Sequence, residues 1–108
     1  MGMDDIERLT GCTGFQWDKD NIEKNWRKHK VSPVECEQVF FNQPLIILDD
    51  PKHSISEKRF AAFGYTDAGR LLAVIFAKRA GLLRVISARD MNRKEKKFYE
   101  ENKEKTDT

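Results

Sequence analysis

Residues 58–89 read KRFAAFGYTDAGRLLAVIFAKRAGLLRVISAR, and the punctuation of that stretch decides the fold. Three apolar runs, Lys58 to Tyr65, Leu71 to Lys78 and Leu82 to Arg89, are separated by Thr66-Asp67-Ala68-Gly69-Arg70 and by Arg79-Ala80-Gly81, residues that suit turns. Links this short force antiparallel pairing. On the middle run Leu72, Val74 and Phe76 share one face and Leu71, Ala73, Ile75 and Ala77 the other, so cover is expected on both sides. The fold class that follows is α+β.

Upstream, Ser32-Pro33-Val34-Glu35 combines a capping Ser, a Pro at the first helical position and a Glu three residues later, the signature of a capping box. A helix starts there, with Cys36, Val39 and Phe40 as its buried stripe, and Asn42 with Pro44 stops it. Before it, Asp18 is an N-cap for a helix reaching His29, stapled by Trp17 and Ile22, with Ile22 and Trp26 on its apolar face and a basic surface elsewhere. Phe15 and Trp17 alternate as a short strand, and Leu45 to Leu48 makes another; both are expected to add at an edge of the sheet. Lys52 to Glu57, including His53, reads as a loop. Downstream, Asn92 with Glu95 repeats the capping pattern for a C-terminal helix that docks Phe98 and Tyr99.

The chain has 108 residues, room for one domain, expected over residues 15–104 between a flexible arm at 1–14 and a disordered tail at 105–108. Its longest apolar run, Leu71 to Ala77, is far short of a membrane span, and the acidic N-terminus does not suit a signal peptide, so a cytoplasmic protein without membrane contact is expected. Cys12 and Cys36 fit a reducing compartment and offer neither a disulfide framework nor a metal-ligand spacing. The net charge of +2 is unevenly spread: residues 19–30 carry +3 and residues 84–97 carry +4.

No Gly-rich phosphate loop, paired metal-ligand motif or nucleophile elbow is present, so neither cofactor nor metal is expected. What the sequence offers instead is a group of cations beside strands and helix ends: Lys28, His29, Arg59, Arg84 and Arg89, which together suit a polyanion. Each has a plain structural reading. His29 can cap a helix C-terminus, and Arg59, Arg84 and Arg89 can pair with carboxylates such as Glu57 or Glu95. Trp17 and Trp26 read as core rather than as base-stacking platforms, and the Lys/Glu run after Arg93 as a solvated helix.

In order along the chain, Phe15-Gln16-Trp17-Asp18, then Asn25 with Lys28-His29 and Val31 ahead of Ser32 and Glu35, then Glu57-Lys58-Arg59-Phe60 with Gly64, and last Ile86-Ser87-Ala88-Arg89 with Glu95 and Tyr99, resemble the BrnT family. It departs from that pattern at Lys30, where the family commonly has Gly, and at Cys36, where a small Ala is common. The resemblance implies a RelE-like fold and a metal-independent endoribonuclease toxin of a type II toxin–antitoxin system that inhibits translation by cleaving RNA. It also implies a BrnA-like antitoxin, which forms an oligomer with the toxin and contacts DNA on its behalf. Carried onto this sequence, it implies Arg59 and Arg89 at the phosphate, His29 in proton transfer with Tyr99 as a second candidate, and Lys28 and Arg84 in substrate binding. The competing readings are a catalytically inert module of the same fold that binds a protein partner, and an RNA-binding domain without cleavage.

Overall fold

The computed structural model describes residues 9 and 11–106; residues 1–8 and 10 of the expected arm and 107–108 of the expected tail lie outside the described residues. The elements are β1 (Gly14–Gln16), α1 (Lys19–His29), α2 (Pro33–Phe41), β2 (Ile46–Asp49), β3 (Arg59–Tyr65), β4 (Leu71–Arg79), β5 (Leu82–Asp90) and α3 (Arg93–Thr106), with a 3-10 turn at Pro51–His53. No helix among the described residues is long and apolar enough to cross a membrane. The five strands form one mixed sheet in the order β1-β5-β4-β3-β2.

β3, β4 and β5 pair antiparallel in chain order, as their short links require. The two minor strands sit at opposite edges and not together: β2 runs antiparallel to β3, while β1 runs parallel to the first three residues of β5. Ile75 pairs with Ser87 and Phe76 with Val85, so Ile86 is an extra residue, a bulge that reverses the inside–outside phase of β5 at that point. Leu83, Val85 and Ala88 thereby all reach the core under the helices despite their uneven spacing.

One sheet face carries the larger core, where Leu72, Val74 and Phe76 of β4 meet Cys36, Val39 and Phe40 of α2. Phe40 and Phe76 pack edge to face with centroids 5.2 Å apart. The chain ahead of Phe15 also contributes: Leu9 and Cys12 pack against this core, and the Thr13 N–H donates to the Gly81 carbonyl at 2.8 Å. Gly64 lets α2 approach β3 closely, since a Cβ there would lie 2.9 Å from Val39 Cγ1. The second face is covered only in part. α3 lays Phe98 and Tyr99 over Ile46, Phe63 and Ala73, and leaves Ile75 half-buried beyond its edge.

The caps form as the sequence implies. Asp18 accepts from the Asp20 and Asn21 N–H groups, Ser32 and Glu35 close a capping box, and Asn92 and Glu95 bond reciprocally through their backbone N–H groups. Lys30 takes the left-handed conformation, at φ 54°, that ends α1. α1 itself departs from the expectation that Ile22 and Trp26 face the core: it lies along the edge of β5, beyond the end of β1. Asn21 Nδ2 and Lys24 Nζ donate to the Val85 and Ile86 carbonyls at 3.4 and 3.0 Å, and Asn25 Oδ1 accepts from the Ala88 N–H at 3.2 Å. Polar side chains at helical spacing thus do the work of a sixth strand. Trp26, expected in the core, is consequently exposed and carries the Lys30 ammonium 5.4 Å from its ring centroid.

Candidate active site

The register of the sheet groups the cations. Arg59 on β3 and Arg84 on β5 both lie opposite Ala77 of β4, so the two arginines flank a small residue in one cross-strand row on the α3 side of the sheet. Both converge on Glu57, whose carboxylate is 3.2 Å from Arg84 and 3.9 Å from Arg59, with Arg79 at 3.5 Å. Asp18, the cap of α1, approaches Arg84 at 3.8 Å. Arg59 Nε is buried and, among the described residues, has no hydrogen-bond partner. Leaving such a donor unpaired costs about 1–3 kcal/mol. Lys24 adds a further cation: burial lowers its pKa, the Lys28 and Arg59 charges lower it further, and Asp18 opposes them.

Arg89 stands on the same face opposite Ala73, four residues along β4 from Ala77. Its guanidinium grips Glu95 in a two-pronged pair, at 2.6 and 2.8 Å, and also donates to the Asp90 carbonyl at 3.2 Å. The bonds from Arg89 hold the Glu95 carboxyl below its ordinary range against the opposing effect of burial, with the Asn92 N–H adding to them. Between the two rows, Leu48, Ala61 and Ile75 floor a hollow of about 250 Å³, which Arg89 and Glu95 border together with Asp49 and Asp50.

His29 and Lys28 end α1 at the other extremity of β5. α1 begins beside Arg84 and has 11 residues, which puts its end about 16 Å away. The His29 and Lys30 carbonyls accept from Arg70 at 2.8 Å each, and Arg70 also pairs with Asp90 at 2.6 Å and with Glu35 at 3.1 Å. Asp90, adjacent to Arg89, pairs with Leu72 and so faces the helix side of the sheet, away from Arg89. Tyr99 is 2% exposed and its hydroxyl donates to the Pro44 carbonyl at 2.5 Å, a packing position. Of the six residues singled out in the sequence, the structure therefore brings Arg59 and Arg84 together, sets Arg89 on the same face, and keeps His29, Lys28 and Tyr99 apart from that row.

Three participants are additions. Glu57 enters from the sequence as a partner for arginine and as part of the Glu57-Lys58-Arg59-Phe60 motif, without a role in the chemistry, whereas in the fold it is the centre of the cluster. Its position two residues before Arg59 was the available signal, since residues two apart can meet on one side of an extended chain. Lys24 looked like part of a solvated helix face. Arg70 lay in a turn by composition, and nothing local marks it as the cation that ties α1, α2 and β5 together.

The comparisons fit this architecture. The sequence model of the family described as "Ribonuclease toxin, BrnT, of type II toxin-antitoxin system" matches residues 17–95. The 1.1 Å crystal structure of the Brucella abortus ribonuclease toxin BrnT is similar in fold, with a TM-score of 0.57 and 23% identity over 75% of this chain and 99% of that one. No curated protein matches the chain. The helix pair, mixed five-stranded sheet and C-terminal helix fit a RelE-like arrangement. With the family match covering most of its length, from Trp17 to Glu95, the chain belongs to the BrnT family of ribonuclease toxins of type II toxin–antitoxin systems.

Proposed function

We propose that the Arg59–Arg84–Glu57 cluster is the cleavage site of a metal-independent endoribonuclease that acts in the cytoplasm and inhibits translation. The observation that carries this reading is the convergence of two arginines on one carboxylate in the sheet face on the α3 side. A phosphodiester held by Arg59 and Arg84 lies beside Glu57, which accepts the proton of the neighbouring 2′-hydroxyl. The 2′-oxygen attacks phosphorus, the P–O5′ bond breaks as the departing O5′ takes a proton from water, and the products are a 2′,3′-cyclic phosphate and a 5′-hydroxyl end. The arginines stabilise the charge that accumulates on the phosphoryl oxygens in the transition state. Lys24, ammonium-bearing and adjacent, supplies a further cation there. His29 and Lys28, a helix length away, serve binding at the periphery and not proton transfer, and Tyr99 serves packing.

A BrnA-like antitoxin carrying the DNA-binding segment would neutralise this site, so that contact with DNA is indirect. The test is incubation of the purified protein with total RNA in excess EDTA, beside Arg59→Ala, Glu57→Gln and His29→Ala proteins shown to be folded. Cleavage by wild type and by His29→Ala, lost in the other two, supports the assignment. Cleavage lost only in His29→Ala moves the proton transfer back to the end of α1. Intact RNA with folded wild-type protein replaces the enzyme with an inert partner-binding module.

A further inference from the structure

The groove on the α3 side has two arginine-bearing walls, each paired with a carboxylate, and a largely apolar floor whose hollow Asp49 and Asp50 also line, and the separation of the walls restricts what it can hold. Arg59 and Arg84 lie opposite Ala77 and Arg89 opposite Ala73, four residues apart on one strand, or about 13 Å at 3.3 Å per residue. Glu57 holds the first two guanidinium groups at their wall and Glu95 holds the third at its own. A guanidinium meets a phosphate oxygen at about 2.7–2.9 Å, so a single phosphate cannot engage both walls in this arrangement. Arg89 nevertheless remains able to bind, because its three hydrogen bonds leave two of its five N–H groups uncommitted among the described residues.

The floor between the walls is the row Leu48, Ala61, Ile75 and Ser87. Leu48 is 40% exposed there, and the hollow of about 250 Å³ beside it is smaller than the roughly 300–1,000 Å³ that encloses a drug-sized ligand. An apolar floor of this extent suits the face of one base. A duplex keeps its base faces stacked inside and presents backbone to such a floor, whereas an unpaired strand can splay a base onto it.

We propose that this groove takes single-stranded RNA through two successive cationic stations, one phosphate at Arg59 and Arg84 and a second at Arg89, with an intervening base on Leu48 and Ile75. The inference rests on the ribonuclease reading of the same groove. It requires a substrate longer than a dinucleotide, and it gives Arg89 a binding role distinct from the cleavage step.

The experiment is fluorescence anisotropy with 2′-O-methyl oligoribonucleotides, whose blocked hydroxyls separate binding from cleavage: a dinucleotide, an unpaired hexanucleotide and a fully paired hairpin. The hexanucleotide is expected to bind at least tenfold more tightly than either of the others. Arg89→Gln is expected to bring it to within a few-fold of the dinucleotide and to reduce the salt slope by about one phosphate contact. Because Arg89 also braces Glu95, Leu48→Asp provides a second variant at an exposed position, expected to weaken the hexanucleotide at least tenfold. Equal binding of dinucleotide and hexanucleotide, equal binding of the hairpin, or no effect of either folded variant overturns the proposal. Wild-type cleavage of total RNA together with length-independent binding overturns the two-station geometry alone; no binding of any strand and no cleavage overturns the ribonuclease reading with it.

Discussion

Two arginines that look alike in sequence are held differently. Among the described residues, Arg59 makes a long contact to Glu57 and keeps a buried Nε without a hydrogen-bond partner, whereas Arg89 is fixed by a bidentate pair to Glu95. Arg59→Ala is therefore expected to lower the cleavage rate by about 10²–10³-fold, the range seen when one transition-state donor is removed, with little change in the thermal midpoint. Arg89→Ala is expected to lower that midpoint as well, because it frees Glu95 and loosens the start of α3. Tyr99 gives the converse prediction. Tyr99→Phe strands the Pro44 carbonyl and is expected to cost about 1–3 kcal/mol in urea denaturation while cleavage of RNA is retained. Loss of cleavage in a folded, stable Tyr99→Phe protein would restore the hydroxyl to the chemistry. The sequence exposed these candidates because charged and aromatic residues stand out against apolar strands. It could not rank them, since burial and the direction a side chain faces depend on pairing register across three strands.

Helix caps and strand limits were readable because each depends on a few adjacent residues, as at Asp18, Ser32 to Glu35 and Asn92 to Glu95. The parallel attachment of β1 was not, because a three-residue strand carries no pattern that names its partner or its direction. Nor was the position of α1. Amphipathic analysis assumes that the apolar stripe of a helix faces inward, but α1 turns Asn21, Lys24 and Asn25 toward the unpaired backbone of β5. Asn25→Ala is expected to destabilise by about 1–3 kcal/mol by leaving the buried Ala88 N–H unpaired, and to speed amide exchange along β5. Unchanged exchange at Ala88 would show that α1 does not act as the edge strand's substitute. Between α2 and β3, Gly64→Ala is expected to cost about 1–3 kcal/mol through overpacking, and the added change Val39→Ala, which removes the Cγ1 atom 2.9 Å away, is expected to recover part of it. A double variant no better than the sum of the two single ones would place the strain elsewhere.

At the Arg70 junction and at the Arg89–Glu95 pair, carboxylates tie helices to strands, and this bears on how stability responds to acid. Arg70 hydrogen bonds hold Asp90 below its ordinary pKa, with burial acting against them. Burial raises Glu35, but bonds from the Ser32 N–H and Arg70 outweigh it, and Glu95 is lowered by Arg89. A carboxyl whose pKa is lower folded than unfolded binds its proton more readily in the unfolded chain. Its contribution to stability is complete above the unfolded values, near 3.8 for Asp and 4.5 for Glu, and is lost as pH falls through the lower folded values. Urea midpoints are thus expected to hold steady from pH 7 to about 5 and to fall steadily toward pH 3. Asp90 is largely exposed, so solvent screening limits its share, and Glu95, the least exposed of the three, carries more. Arg70→Met removes the partner of both Asp90 and Glu35 and is expected to be less stable at pH 7 yet flatter between pH 5 and 3. An acid slope in that variant parallel to wild type would mean that the Arg70 junction binds α1 and α2 to β5 by its carbonyl contacts to His29 and Lys30 and not by its ion pairs.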